Sequence, residues 1–254
     1  WKMIPIENLI AECEDSGTML GVIVNHTEDV NGIAFALERG ADAIIIKPEN
    51  SLIEVCMIAK SLRLENQTKS NGMTIEAKDS IKLTKGKIVN IESGGIGERY
   101  CIDLTCLISI GEGMLIGSSA SSLALVHGEV ISSQYVPSRP FRVNAGPPHS
   151  YVLMADGKTK YIAELTSGDE VMLVSDHGES RAATIGRLKI EKRPFLRISW
   201  ENDYQISNSI YLQQAETVRV VAGEGQVVSV TNLAVGDSIS VSYTHLRAHE
   251  TPAN

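Results

Sequence analysis

DGKTKYIAELTSGDEVMLV at residues 156–174 returns as EGQVVSVTNLAVGDSISVS at residues 224–242, a constant offset of 68 positions. Asp156-Gly157 aligns with Glu224-Gly225, Leu165 with Leu233, and Gly168-Asp169 with Gly236-Asp237. In each copy the Leu-x-x-Gly-Asp element reads as a turn feeding an alternating strand, so the recurrence predicts two similar β units packed as a pseudo-symmetric barrel. The shared Gly-Asp serves the turn, which leaves specialisation to what differs between the copies. Asn144 to His149 precede the first copy, whereas LQQAETVRV, with neither His nor Gly, precedes the second.

Outward from the repeat, short β-type runs separated by Gly, Asn and Asp extend back to about Met73 and forward to Tyr243. Upstream the period changes to that of helices. The apolar run Met19 to Val24 leads to Thr27, read as an N-cap, with Glu28 and Asp29 in the first turn and Val30, Ile33, Ala34 and Leu37 at helical spacing before Gly40. A second unit pairs a buried-type strand, Ala43 to Ile46, with a helix using Leu52, Val55, Cys56 and Ala59 behind a Ser51–Glu54 capping box. Strand-helix-strand-helix of this length predicts a parallel sheet covered by helices. The fold class expected is therefore α/β plus all-β: a βα-type lobe at 1–72, a β-rich lobe with an internal duplication at 73–243, and an aperiodic tail at 244–254. Two βα units do not make a complete sheet, and the first lobe reads as the C-terminal part of a larger domain.

Composition excludes several classes. With 254 residues, 43% of them hydrophobic, the chain is globular in make-up, and its net charge of −8 argues against nucleic acid as a partner. No apolar run approaches the roughly 18 residues of a membrane-spanning helix, so no membrane partner is expected, and the expected setting is the cytoplasm. Cys13, Cys56, Cys101 and Cys106 have no Cys-x-x-Cys spacing and read as reduced thiols. No metal site is expected; His245 and His249 fall at helical spacing but lack a third ligand.

Charge is nevertheless uneven. Residues 137–197 hold ten Lys and Arg against seven Asp and Glu, a balance of +3, while the remainder sums to −11. This basic island concentrates Arg139, Arg142, Asn144, His149, Lys189, Glu191 and Arg193, and it implies a small anionic ligand. Arg139, Arg142, Asn144 and His149 are expected to converge in one concave pocket. Gly94, Gly95 and Gly97 follow the apparent strand Lys87 to Ile91, but they lead into the strand-like RYCIDL and lack dinucleotide-fingerprint spacing; they read as a tight turn.

The runs GERYCIDLTCLISIGEGMLIGSSASSLALVHGEV, YVPSRPFRVNAGPPHSYV, GKTKYIAELTSGDEV and TIGRLKIEKRP closely resemble the 3-dehydroquinate synthase II family, the archaeal-type enzyme of aromatic amino-acid biosynthesis. The resemblance covers most of residues 1–243. WKMIPIENLIA looks like an internal segment of that family, which implies a missing N-terminal portion. Gln214, where the family pattern has Asn, and the tail after Tyr243 depart from it.

The resemblance implies NAD-dependent oxidative deamination of an amino-dideoxy-heptulosonate, followed by cyclisation to 3-dehydroquinate. That reaction needs a hydride acceptor, a base and a carboxylate anchor. NAD is implied by the family alone, and the positions that hold it are unassigned. For the anchor, Arg139 and Arg142 suit a bidentate grip on a carboxylate, with Asn144 and Arg193 beside them. For the base, His127 and Glu129 stand two apart on a strand, where an imidazole and its orienting carboxylate share a face. His149 is a second candidate base, and Lys189 with Glu191 on another strand face can polarise a carbonyl or bind phosphate. A related aminohydroxybenzoate-forming enzyme and a non-catalytic β-barrel binding module are the alternatives. Homo-oligomerisation is left open.

Overall fold

Helix α1 (Met3–Cys13) precedes two parallel strands, β1 (Gly21–Val24) and β2 (Ala43–Ile46), joined through α2 (Thr27–Phe35) and followed by α3 (Asn50–Gly72). The computed structural model describes residues 3–13, 16–72, 80–132, 136–202, 207–222 and 225–243. The 73–79 junction and the tail with His245 and His249 therefore lie outside the described residues. Val30, Ile33 and Ala34 of α2 pack with Leu52 and Ala59 of α3, as their helical spacing predicts.

Three local expectations for this lobe need correction. His26, extended at φ −131, ψ 140, is the N-cap residue of α2 and makes no side-chain cap bond, so Thr27 is already helical. Helix α3 starts at Asn50, which places Ser51 inside the first turn instead of at its cap. The β2 strand is not buried as a central strand would be. Ile45 is 54% exposed and Ile23 of β1 70% exposed, because helices cover one face of this two-stranded sheet and leave the other open.

The second lobe contains β3 (Thr84–Leu104), β4 (Glu112–Ser119), β5 (Ser122–His127), β6 (Arg142–Gly146), β7 (Tyr151–Leu153), β8 (Thr159–Tyr161), β9 (Glu170–Ser175), β10 (Ser180–Glu201), β11 (Ser207–Gln213), β12 (Arg219–Val221), β13 (Val227–Ser229) and β14 (Ser238–Ser242). All pair antiparallel. Following the partners from β3 to β10, β9, β4, β5, β14 and back to β3 returns to the start, so these strands close a ring. Alternation along each strand divides the apolar residues. Met114, Ile116, Ala124 and Val126 join Ile102, Ile198 and Trp200 in one core, whereas the intervening Leu115, Leu123 and Leu125 pack with Leu153 and Val174 in another.

Strands β7, β8 and β9 begin at 151, 159 and 170, and β12, β13 and β14 begin 68 positions later at 219, 227 and 238. Each copy's last strand pairs with the start of a long strand: β9 with residues 180–184 of β10, and β14 with residues 84–87 of β3. The other ends of these long strands pair with β11 and β6.

The Gly94–Gly97 cluster is not a turn. Strand β3 runs through it without a break, and its register with β10 slips where Leu196 opposes Ser93 and Pro194 opposes Ile96. The extra residue makes a bulge in which Gly95 takes φ +76. A Cβ on Gly94 would come within 2.9 Å of Phe195 Cβ and Tyr211 Cδ1, so this position needs glycine to let β10 and β11 approach.

Candidate active site

Strand β3 lies between β10 and β6, and the register stacks charged and polar residues in rows across all three. Arg187, Asp103 and Arg142 form one row, Lys189, Cys101 and Asn144 the next, and Glu191 opposes Arg99. Directly opposed residues of antiparallel strands project to the same side. The rows therefore make one polar face, backed by Ile102, Leu104, Val143 and Ala145 in the apolar core. Four residues singled out from the sequence, Arg142, Asn144, Lys189 and Glu191, meet on it, and Arg193 follows at its edge opposite Gly97. Arg99, Cys101, Asp103 and Arg187 were missed, although Arg99, Cys101 and Asp103 alternate with apolar residues along ERYCIDL.

Asp103 is 4% exposed and holds two guanidinium groups. Arg142 donates from Nε to Oδ1 at 2.6 Å and from Nη2 to Oδ2 at 2.9 Å; Arg187 donates from Nε and Nη2 to Oδ2 at 2.9 and 2.6 Å. Desolvation opposes the charge on Arg142, but the bond to Asp103 outweighs it and its pKa is driven up, so the group stays cationic.

In the next rows Glu191 is the hub. Its Oε2 accepts from Arg99 Nη2 at 2.6 Å and Arg193 Nη2 at 3.0 Å, with Lys189 Nζ at 3.4 Å. Desolvation pushes its carboxyl up, yet Lys189 and Arg193 prevail and the pKa falls below the ordinary value. Burial pushes the Cys101 thiol up to about 11 against the neighbouring Arg99, which leaves it neutral and unsuited to nucleophilic attack.

Beside β6, Glu129 is buried and faces Arg139, whose Nη1 lies 3.6 Å from its Oε2. Desolvation raises the Glu129 pKa, with Arg142, Arg139 and Arg99 pulling the other way. Six cations (Arg99, Arg139, Arg142, Arg187, Lys189 and Arg193) thus face three carboxylates (Asp103, Glu129 and Glu191). Two buried polar atoms here, Arg99 Nε and Asn144 Oδ1, have no partner among the described residues. An excess of fixed positive charge with unused polar atoms suits an oxyanion-bearing ligand.

Convergence of the basic island is partial. Asn144 Nδ2 donates to Gln213 Oε1 at 2.9 Å, and the exposed His149 packs edge-on against Tyr211 with ring centroids 5.5 Å apart. Gln213 and Tyr211 stand two apart on β11, so His149 sits at the rim of the face. His127 engages other partners: it is 2% exposed, its Nε2 accepts from the Gly111 N–H at 2.9 Å, and its Nδ1 has no partner of hydrogen-bond geometry among the described residues. Burial pushes its pKa down to about 4, and the neighbouring charges are Arg219, Asp176 and Glu112. His127 and Glu129, expected to act together, therefore answer to different groups.

Residues 85–251 match the 3-dehydroquinate synthase II C-terminal domain and residues 1–60 match the N-terminal domain of the same enzyme class. The chain belongs to the 3-dehydroquinate synthase II family. Among curated members, the 3-dehydroquinate synthase of Methanosphaera stadtmanae is 38% identical over 252 residues, 98% of this chain and 66% of the relative. That of Methanothermobacter thermautotrophicus is 39% identical over 250 residues, covering 98% and 63%, and that of Methanocaldococcus jannaschii 38% over 249, covering 98% and 65%. The chain thus spans a little under two thirds of the length of these family members. No solved structure matches it significantly. Among the described residues, no helix is long and apolar enough to cross a membrane, and no group of three His, Cys, Asp or Glu is placed to hold a metal ion.

Proposed function

We propose that the protein catalyses the step for which its curated relatives are named, forming 3-dehydroquinate on the route to aromatic amino acids. In this reading an amino-dideoxy-heptulosonate loses its amino group by NAD-dependent oxidation and then closes its ring. The observation that carries it is the excess of cations on the β3–β6–β10 face. Three of those cations share the single oxygen Glu191 Oε2, which cannot neutralise them, so the face is prepared for electron-rich oxygens, carboxylate or ketone, supplied by a ligand.

Among the described residues, the glycine-bearing turns do not form a cradle for the dinucleotide. Gly94 and Gly95 fill a strand bulge, and the turns entering α2 (Asn25–His26) and α3 (Lys47–Glu49) contain no glycine and so lack the close backbone approach a pyrophosphate uses. The chemistry assigned to this chain is accordingly confined to the substrate's charges and protons. Arg187, half exposed beside Asp103, holds the anionic end; farther along β10 Lys189 polarises the ketone, and His149 at the rim takes the proton from the carbon beside it. A cytoplasmic setting belongs to the same reading, supported by four free cysteines and the acidic balance of the chain.

The test incubates the protein with the amino-heptulosonate and NAD, following NADH by absorbance and 3-dehydroquinate by mass spectrometry. Both products should rise together. Saturable binding of the heptulosonate without either product would overturn the enzymatic reading in favour of a binding module.

A further inference from the structure

At the Asp103 end of the polar face, the βα lobe meets the β-rich lobe around a cavity of about 330 Å³. Its walls are Phe35 at the end of α2 and Leu37 just after it, Phe141 ahead of β6, Asp103 of β3, Arg187 of β10 and Glu7 of α1. The apolar side is firmly built. Leu37 and Phe141 are 5% and 6% exposed and share a core with Ile10 and Ala11 of α1, and Leu37 is held at φ 53, ψ 29, where a branched side chain pays a steric cost.

The charged side is complementary in sign. Arg187 spends Nε and Nη2 on Asp103, while its Nη1 takes no partner among the described residues and half of its side chain remains accessible. Both Asp103 oxygens are already occupied by guanidinium groups, so Asp103 orients Arg187 instead of binding a ligand itself. Glu7, across the cavity, makes no hydrogen bond or ion pair among the described residues. Desolvation raises its carboxyl pKa, Arg187 opposes this and Asp103 reinforces it. One guanidinium nitrogen and one carboxylate, neither with a partner among the described residues, thus line a small cavity with apolar walls, an arrangement that fits a carboxylate and an ammonium carried on one carbon.

We infer that this cavity seats an α-amino-acid head group, with Arg187 gripping the carboxylate and Glu7 holding the ammonium and acting as its base. In that step one N–H bond breaks, the proton passes to a Glu7 carboxylate oxygen, and the electron pair remains on nitrogen as a neutral amine. The inference rests on the reading of the protein as acting on an amino-heptulosonate. It adds a location for the head group and a residue, Glu7, that the basic island does not contain.

The test uses three matched probes, L-norleucine, hexanoate and 1-aminopentane, titrated calorimetrically into the protein. Norleucine should bind at least tenfold more tightly than either probe lacking one charge. Glu7→Gln and Arg187→Met should each weaken norleucine at least tenfold, with unchanged circular dichroism as the check on folding, and Arg187→Lys should restore part of the affinity. In turnover assays Glu7→Gln should abolish the acidic limb of the kcat/KM profile. Equal binding of the three probes, or Glu7→Gln with wild-type affinity and pH profile, would overturn the inference even if dehydroquinate is formed. Selective norleucine binding in a protein that forms no dehydroquinate would sustain the head-group site while removing the proposed reaction.

Discussion

Acidification should destabilise this protein through His127 in particular. The imidazole titrates near 6.5 in an unfolded chain, but in the folded protein burial holds it down to about 4, with its Nε2 already occupied by the Gly111 N–H. Between those values the unfolded chain binds the proton and the folded one resists it, so stability falls as pH drops through the window and levels off below it. Integrated from pH 7, the loss attributable to this group is about 2 kcal/mol at pH 5 and about 3 kcal/mol at pH 4. Other groups titrate in the same range. Asp156, Asp169 and Glu92 have lowered values and lose stabilisation in acid, while the raised Glu129 opposes them. All of these remain in a His127→Gln variant, whose side-chain oxygen can still accept from Gly111. The difference between wild type and variant therefore isolates the imidazole. Urea unfolding at pH 7, 5 and 4, followed by the fluorescence of the fully buried Trp200, measures it. Parallel pH dependences for the two proteins would refute the assignment of a neutral, buried His127.

Asp103→Asn should cost about 3 to 5 kcal/mol in urea unfolding, because it leaves the buried Arg142 without its counter-charge; a loss below 1 kcal/mol would mean that the two arginines find another partner. Gly94→Ala should destabilise by about 1 to 3 kcal/mol, since the new methyl meets Phe195 and Tyr211, and an unchanged thermal midpoint would contradict the close approach at the bulge. His149→Gln should lower kcat about 10² to 10⁴-fold with little change in KM. Near-normal turnover in that variant, together with an inactive Lys189→Met, would transfer the proton to the lysine.

Local signals in the sequence were good guides wherever one element decides its own state. Val30, Ile33 and Ala34 announced a buried helix face, and the 68-residue offset marked positions at which strands begin in both copies. Misreadings arose where a distant residue decides. Nothing near Gly94 shows that Phe195 and Tyr211 press on it from about a hundred positions away, so a strand bulge resembled a turn. For the candidate site, Arg142, Asn144, Lys189 and Glu191 were legible as charged or amide side chains interrupting β patterns. The central row on β3 carried the same signal in Arg99, Cys101 and Asp103, but its partners on two other strands could not be read from spacing. Glu7 gave no signal at all, since an acidic residue on an amphipathic helix is ordinary until the helix docks beside Arg187.

Ring closure has a consequence for how the chain must fold during synthesis. The last strand of the ring, β14, inserts between the start of β3 and β5, both made more than a hundred residues earlier. Until Ser242 has left the ribosome, β3 and β5 expose unpaired backbone along the edges that β14 will cover. Such edges are templates for pairing with other nascent chains. The two copies are also interlocked, because β9 of the first holds the start of β10, β14 of the second holds the start of β3, and β3 and β10 pair with each other along their length. The β-rich lobe should therefore form late and all at once, and a ribosome-bound chain stopped after the first copy should be digested by protease as readily as an unfolded one.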